Sequence, residues 1–238
     1  MDRIKAIFRR EFRSYFRSPI AYIFISAFLI TSSWFFFQTF FIINFASMRN
    51  FFDLLPWIFL FFLPMITMRL WAEEKKLGTI EVLMTLPVRD HEVVLGKYLA
   101  SFAVLAVALV LTLPIPIIVA VLGNPDIGVI VSSYVGALLM GGAYLAIGLF
   151  VSSLTKNQIV AAIIGWVACF ALFFLGNDLV LFNVPRFLVP VFEYMGLGAH
   201  FNSIMRGIID SRDLIYYVSV IAFFLFLNVR VVESQKYR

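Results

Sequence analysis

Gly96 and Lys97 form the only Gly-Lys pair in the chain, and a phosphate-cradling loop ends on such a pair. That loop needs GxxxxGK[ST], so that backbone N–H groups ring the phosphates and a hydroxyl meets magnesium. Here Tyr98 follows the lysine, and His91 stands where the first glycine belongs. The chain therefore binds no nucleotide by that route. A zinc site needs several His, Cys or carboxylate ligands converging. His91 and His200 fall in segments expected on opposite sides of a bilayer, and the single cysteine, Cys169, lies inside an apolar run. Cys169 can form neither an intrachain disulfide nor a CxxC site. Nucleophilic chemistry has one candidate pair, Ser203 near His200, set against the plainer reading of polar residues at a wet interface. Intramembrane carboxylates mark proton relays in pumps, but Asp53 and Asp178 stand at the ends of apolar runs. No catalytic residue, metal ligand or cofactor is expected in this chain, and no substrate-binding residue is assigned. If the protein moves something, the energy comes from another chain.

The elements that carry these residues are apolar. Of 238 residues, 62% are hydrophobic, 28 are Phe and only 14% are charged, with a mean hydropathy of +0.97. A soluble domain could not cover that much apolar surface, so the composition reads as an integral membrane protein. A spanning helix takes roughly 20 apolar residues. Six runs qualify: 20–43, 54–70 with a kink expected at Pro64, 98–122 broken by Pro114 and Pro116, 127–152 rich in small residues, 159–182 and 214–232. The first is too long for a cleaved signal and lacks a small-residue cleavage site, so it is expected to remain as an anchor. The expected fold is all-α integral membrane, with six transmembrane helices in a single domain over 1–238.

The net charge of +5 sits beside the apolar runs, which points to topology and lipid headgroups rather than to nucleic acid. Lys and Arg concentrate in the N-terminal segment, in the loop after the second run and at the C-terminus. Both termini are therefore expected in the cytoplasm. Within 1–17, Ile4, Phe8, Phe12 and Phe16 recur every four residues, with Ile7 and Tyr15 beside them and Arg9 and Arg13 on another face. That pattern is an interfacial amphipathic helix, or else a plain positively charged flank. The outside loop 183–212 holds Phe187, Leu188, Val191, Phe192, Tyr194 and Met195. It is too apolar for an exposed loop and is expected to dip into the membrane or cover the outer mouth.

The most charged stretch lies within 71–97, a cytoplasmic loop between the second and third runs. Gly78 and Thr79 are expected to turn the chain and start a short helix, with Thr79 as its N-cap. Ile80, Leu83 and Met84 share one face, Glu81 lies on the other, and Pro87 ends the helix. Asp90 then caps a helix leading into the third run. A short helix projecting from two spans can seat in a groove on a cytoplasmic partner and carry its motion to both. A structured turn with interfacial charges fits the same residues.

EEKKLGTIEVL at 73–83, the Leu86-Pro87 step and VLGKYLA at 94–100 together resemble the hallmark of ABC-2 type transporter permeases. RREF at 9–12 and SSLTKNQIVA at 152–161 extend that resemblance over nearly the whole chain, and SPIAYIF at 18–24, PWIFLFFLPMITMR at 56–69 and SLTKNQIVA at 153–161 together look closest to the gliding-motility-associated permease subgroup. The resemblance implies a half-size permease with a connecting N-terminal helix and re-entrant helices in the last outside loop. Its coupling helix would use Gly78, Thr79, Ile80, Glu81, Leu83, Met84 and Pro87. It also implies two ABC ATP-binding subunits holding ATP and magnesium, a second permease copy or a paralogue, and export of an amphipathic or polymeric substrate. The alternative is a scaffold that passes ATP-driven motion to an envelope partner without transport. An intramembrane hydrolase would need a buried Ser-His or Asp pair at one depth, and the sequence offers none.

Overall fold

Apolar runs in lipid must satisfy their backbone groups internally, and helices do so. The computed structural model describes residues 2–43, 47–79, 88–182, 184–208 and 210–236. Among them every regular element is an α-helix: α1 (Asp2–Arg17), α2 (Pro19–Ile43), α3 (Arg49–Thr67), α4 (Arg69–Leu77), α5 (Asp90–Val110), α6 (Pro114–Leu122), α7 (Ile127–Ser152), α8 (Gln158–Phe174), α9 (Asp178–Leu181), α10 (Val189–Met195), α11 (Leu197–Ile204) and α12 (Ser211–Lys236).

Five helical runs are long and apolar enough to cross a membrane: Pro19–Phe40, Arg49–Leu77, Asp90–Leu122, Ile127–Ser152 and Ser211–Ser234. The fifth apolar run is shorter than its sequence suggests. Its helix, α8, stops at Phe174 after 17 residues. The chain turns at Gly176 because that glycine lies directly against Gly196, where a Cβ on Gly196 would collide with the Gly176 backbone. Asn177 Oδ1 then accepts the Leu179 N–H at 3.1 Å and starts the four-residue helix α9.

α7 is the hub. It packs against α3, α4, α5, α8, α11 and α12, and its glycines let those neighbours approach. A Cβ at Gly148 would strike the Thr67 hydroxyl. The α3–α4 run steps at Met68, whose N–H still reaches the Pro64 carbonyl at 2.9 Å. The start of a helix leaves N–H groups without partners, and here α7 supplies one. The Ser152 hydroxyl accepts from the N–H groups of Trp71 and Ala72, both at 3.2 Å, and donates to the Met68 carbonyl at 2.8 Å.

The packing separates two ends. α1, α4, the start of α5 and the end of α7 meet at one, where Ile7 of α1 lies on Gly96 of α5 and Lys75 of α4 donates to the Ser153 carbonyl. α11 meets the start of α7 at the other, where Ile204 lies on Gly136. In the segment 184–208, Phe187, Val191, Tyr194 and Met195 are exposed, while Leu197, Phe201 and Ile204 are fully buried. The apolar residues that hold this segment down are therefore those of α11, more than the earlier ones that made its sequence conspicuous.

Candidate coupling site

α1 turns a buried stripe and an exposed stripe in different directions. Ile7, Glu11 and Tyr15, spaced by four, are buried. Ile4, Phe8, Phe12 and Phe16 are half-buried along the flank, and Arg9 and Arg13 are exposed. The flanking rings run along the helix, Phe8 to Phe12 at 5.6 Å and Phe12 to Phe16 at 4.9 Å. The stripe seats on α5 at Gly96, where a Cβ would stand 2.5 Å from Ile7 Cγ2. Only a glycine lets α1 come this close.

One residue further, Lys97 is 1% exposed. Its ammonium has three protons and finds three acceptors: the Leu70 carbonyl at 3.0 Å, Glu74 Oε1 at 2.7 Å and Glu11 Oε1 at 3.3 Å. The Trp71 ring lies beneath it at 5.0 Å. A buried lysine is tolerable only when its charge is paired and every proton placed, and both conditions hold. Arg10 closes the cluster from the rim, reaching Glu11 at 2.7 Å and Glu74 at 3.2 Å. Burial pushes the Glu11 carboxyl up, but the charges of Lys97 and Arg10 pull it further down, to a net value below its ordinary 4.5. Tyr15 completes the stripe by donating to the Ile66 carbonyl at 3.4 Å, and burial pushes its phenol well up.

Glu74 is the pivot. Its side chain holds Lys97 and Arg10, while its carbonyl accepts the Gly78 N–H and, at 3.3 Å, the Thr79 hydroxyl. Gly78 sits in the left-handed region at φ 71 and ends α4, as a helix-stopping glycine does. The Thr79 hydroxyl thus helps to close the preceding helix, and the residues that it would cap on its other side lie outside the described ones. At the other side of the charged segment, the cap of α5 is Arg89 and not Asp90, which is its first residue. The Arg89 N–H donates to Glu92 Oε2 at 2.9 Å, and Arg3 of α1 stands 3.9 Å from the same oxygen. α1 is therefore tied to Glu74 before the segment 80–87 and to Glu92 after it. Ile80, Glu81, Leu83, Met84 and Pro87 lie outside the described residues.

His91 and His200 stand at opposite ends of the bundle. His91 is exposed at the start of α5, and His200 is buried in α11. Among the described residues Ser203 makes no hydrogen bond to His200. The partner of His200 is Asp213 of α12, at 2.6 Å from Nδ1, while Nε2–H donates to the Tyr194 carbonyl at 2.9 Å. Tyr216 stacks on the ring at 3.9 Å. This pair joins α11 to the last helix and offers no nucleophile. Asp53 is exposed in α3.

The Lys97 cluster was not found from sequence, although two signals were present. A lysine inside an apolar helix demands a partner, and Glu11 falls on the same four-residue stripe as Ile7 and Tyr15. Ser152 gave no such signal, because a lone serine in an apolar helix has many uses.

The long apolar runs, with charge confined to their ends, define a multi-pass membrane protein. A family model described as ABC-2 family transporter protein matches residues 5–197, and the chain belongs to that family. No curated protein matches the chain. Membership makes this the transmembrane permease subunit of an ABC transporter, which associates with ABC ATP-binding subunits; it is the membrane component and not the ATPase.

Proposed function

We propose that this permease couples to its ATP-binding subunits through residues 80–87, which seat as a short helix in a groove on the partner. Ile80, Leu83 and Met84 supply the apolar anchor, Glu81 the contact at the rim and Pro87 the stop. ATP and magnesium are held by the partner. The observation that carries this reading is the span of α1. Its arginines reach Glu74 at 3.2 Å and Glu92 at 3.9 Å, so a push on the intervening segment is felt by α1, α4 and α5 together. Two ATP-binding subunits serve two permeases, this chain paired with itself or with a paralogue. Six helices cross the bacterial inner membrane in each permease, α8 included, with both termini in the cytoplasm and α1 along the cytoplasmic leaflet. Export of an amphipathic or polymeric substrate is the reading supported by the family resemblance. The likeness to the gliding-motility-associated subgroup bears on a pathway and not on the cargo.

An apolar anchor fully buried in a groove contributes roughly 1.5–3 kcal/mol, and an exposed charge pair about 0–1 kcal/mol. Leu83→Ala should therefore reduce co-purification of the ATP-binding subunit more than Glu81→Gln does. Glu81→Gln should leave the complex intact while lowering the transport obtained per ATP. If both variants keep normal association and normal coupling, the segment is a turn and the proposal fails.

A further inference from the structure

Two cavities meet at the end of the molecule that carries α1. The first, about 460 Å³, is polar and lies between α1, α4 and α5. Its lining sets four cations, Arg10, Arg17, Arg69 and Lys97, against three carboxylates. Lys97, Arg10, Glu11 and Glu74 neutralise one another in the cluster already described, and Arg69 Nε donates to Glu73 Oε2 at 2.9 Å. Arg17, exposed at the end of α1, has no acidic partner among the described residues. The cavity is thus left with one positive charge, and Arg69 is left with guanidinium protons that face no carboxylate.

The second cavity, about 390 Å³, is an apolar groove between α2 and α3, lined by Ile23, Phe24, Ala27, Phe62, Met65 and Ile66. It opens outward, since Ile23 is 64% and Met65 56% exposed. The two cavities share Arg69 and Glu73 in their walls. A polar chamber with a single excess positive charge therefore continues into an oily groove on the exposed side of two apolar helices.

We propose that this joined site binds one singly charged anionic phospholipid of the phosphatidylglycerol type. The phosphodiester takes charge-assisted hydrogen bonds from Arg69 and Arg17, and an acyl chain lies in the groove along α2 and α3. The match is one of charge and of shape. A phosphodiester carries one negative charge, equal to the excess in the chamber, and its chains leave on the side where the groove runs. A zwitterionic lipid would bring a second cation into a chamber that already has one to spare. The site is a property of the permease in its membrane, and it stands whichever substrate the transporter moves and however residues 80–87 engage their partner.

The test is native mass spectrometry of the detergent-purified permease, titrated with phosphatidylglycerol or with phosphatidylcholine of the same chains. The wild-type protein should retain one phosphatidylglycerol per chain, about tenfold more strongly than phosphatidylcholine, the difference expected for charge-assisted bonds. Millimolar inorganic phosphate should not displace it, because phosphate cannot fill the groove. The double variant Arg17→Gln, Arg69→Gln should lose the preference between the two lipids. Met65→Trp, at an exposed position, should block the groove and weaken retention of both lipids while leaving the thermal midpoint unchanged. Equal retention of the two lipids by the wild type would overturn the proposal. So would displacement by phosphate alone, an unchanged preference in the folded double variant, or undiminished retention by Met65→Trp.

Discussion

The two ends of the bundle each bury a polar contact around a carboxylate, and they use it differently. At the α1 end, Lys97 meets Glu74 across 23 residues of sequence and Glu11 across 86. At the α11 end, His200 meets Asp213 across 13. The first cluster joins three elements that are distant in the chain, and the second fastens a segment to the helix that follows it. The partners differ as well. Lys97 places all three protons on acceptors, whereas Asp213 meets His200 through one carboxylate oxygen and keeps the other buried and, among the described residues, unpartnered. A lock across distant elements can pass a displacement from one to another. A clasp between neighbours can only hold one segment against the next.

The sharpest way to break this contrast is Lys97→Met. It keeps the apolar stem and removes the cation, leaving Glu11 and Glu74 with Arg10 alone. Stranding one side of a buried ion pair costs about 3–5 kcal/mol, so the thermal midpoint of the purified protein should fall steeply. Adding Glu74→Gln should restore part of the loss, because the stranded charge is removed with it. Full stability in the single variant would mean that the cluster carries little of the docking of α1. Gly96→Ala comes next. Its Cβ would stand 2.5 Å from Ile7, and forcing a methyl into a packed contact costs about 1–3 kcal/mol. Limited proteolysis should then cut α1 free faster than in the wild type.

At the other end, Asp213→Asn leaves a neutral group where a carboxylate met the ring, at a cost of about 1–3 kcal/mol. Hydrogen exchange should quicken in α10 and α11 and stay unchanged in α1. Faster exchange in α1 would show that the ends are linked and would erase the distinction. Gly78→Ala should cost about 1–2 kcal/mol, since alanine resists the left-handed backbone that ends α4; its would-be Cβ meets no neighbour within 4 Å, so nothing but the backbone is strained. The smallest effect is that of acid. Glu11 is held below 4.5 in the folded chain, so its contribution is complete above that value and fades as the pH falls through and below it. Protection of α1 from exchange should weaken on acidification, and Glu11→Gln should flatten the profile.

Much of the architecture was legible because lipid imposes long apolar runs. The run 127–152 has the bounds of α7 itself, since polar residues flank it on both sides. The run 159–182 was misjudged because an apolar count does not register a glycine pair: Gly176 against Gly196 ends the helix through a contact made by a segment further along the chain. In α1 the four-residue repeat of Phe8, Phe12 and Phe16 correctly announced a helix. The face pressed into the protein, however, is the neighbouring stripe of Ile7, Glu11 and Tyr15. A hydrophobicity pattern discounts a glutamate, and only the lysine waiting at position 97 makes that glutamate an interior residue. Ser152 was invisible for a related reason. Its importance lies in three backbone groups of another helix, and backbone groups have no letter in a sequence.

That serine also sets an order of assembly. The hydroxyl of Ser152 serves Met68, Trp71 and Ala72 from 84, 81 and 80 residues further along the chain. At about 5–20 residues per second, roughly 4–16 s of synthesis separate the emergence of the α3–α4 step from that of its partner. Through that interval the step must borrow hydrogen bonds from water or from the insertion machinery. The second run is therefore handed over to the membrane unfinished, and it is completed only when α7 arrives.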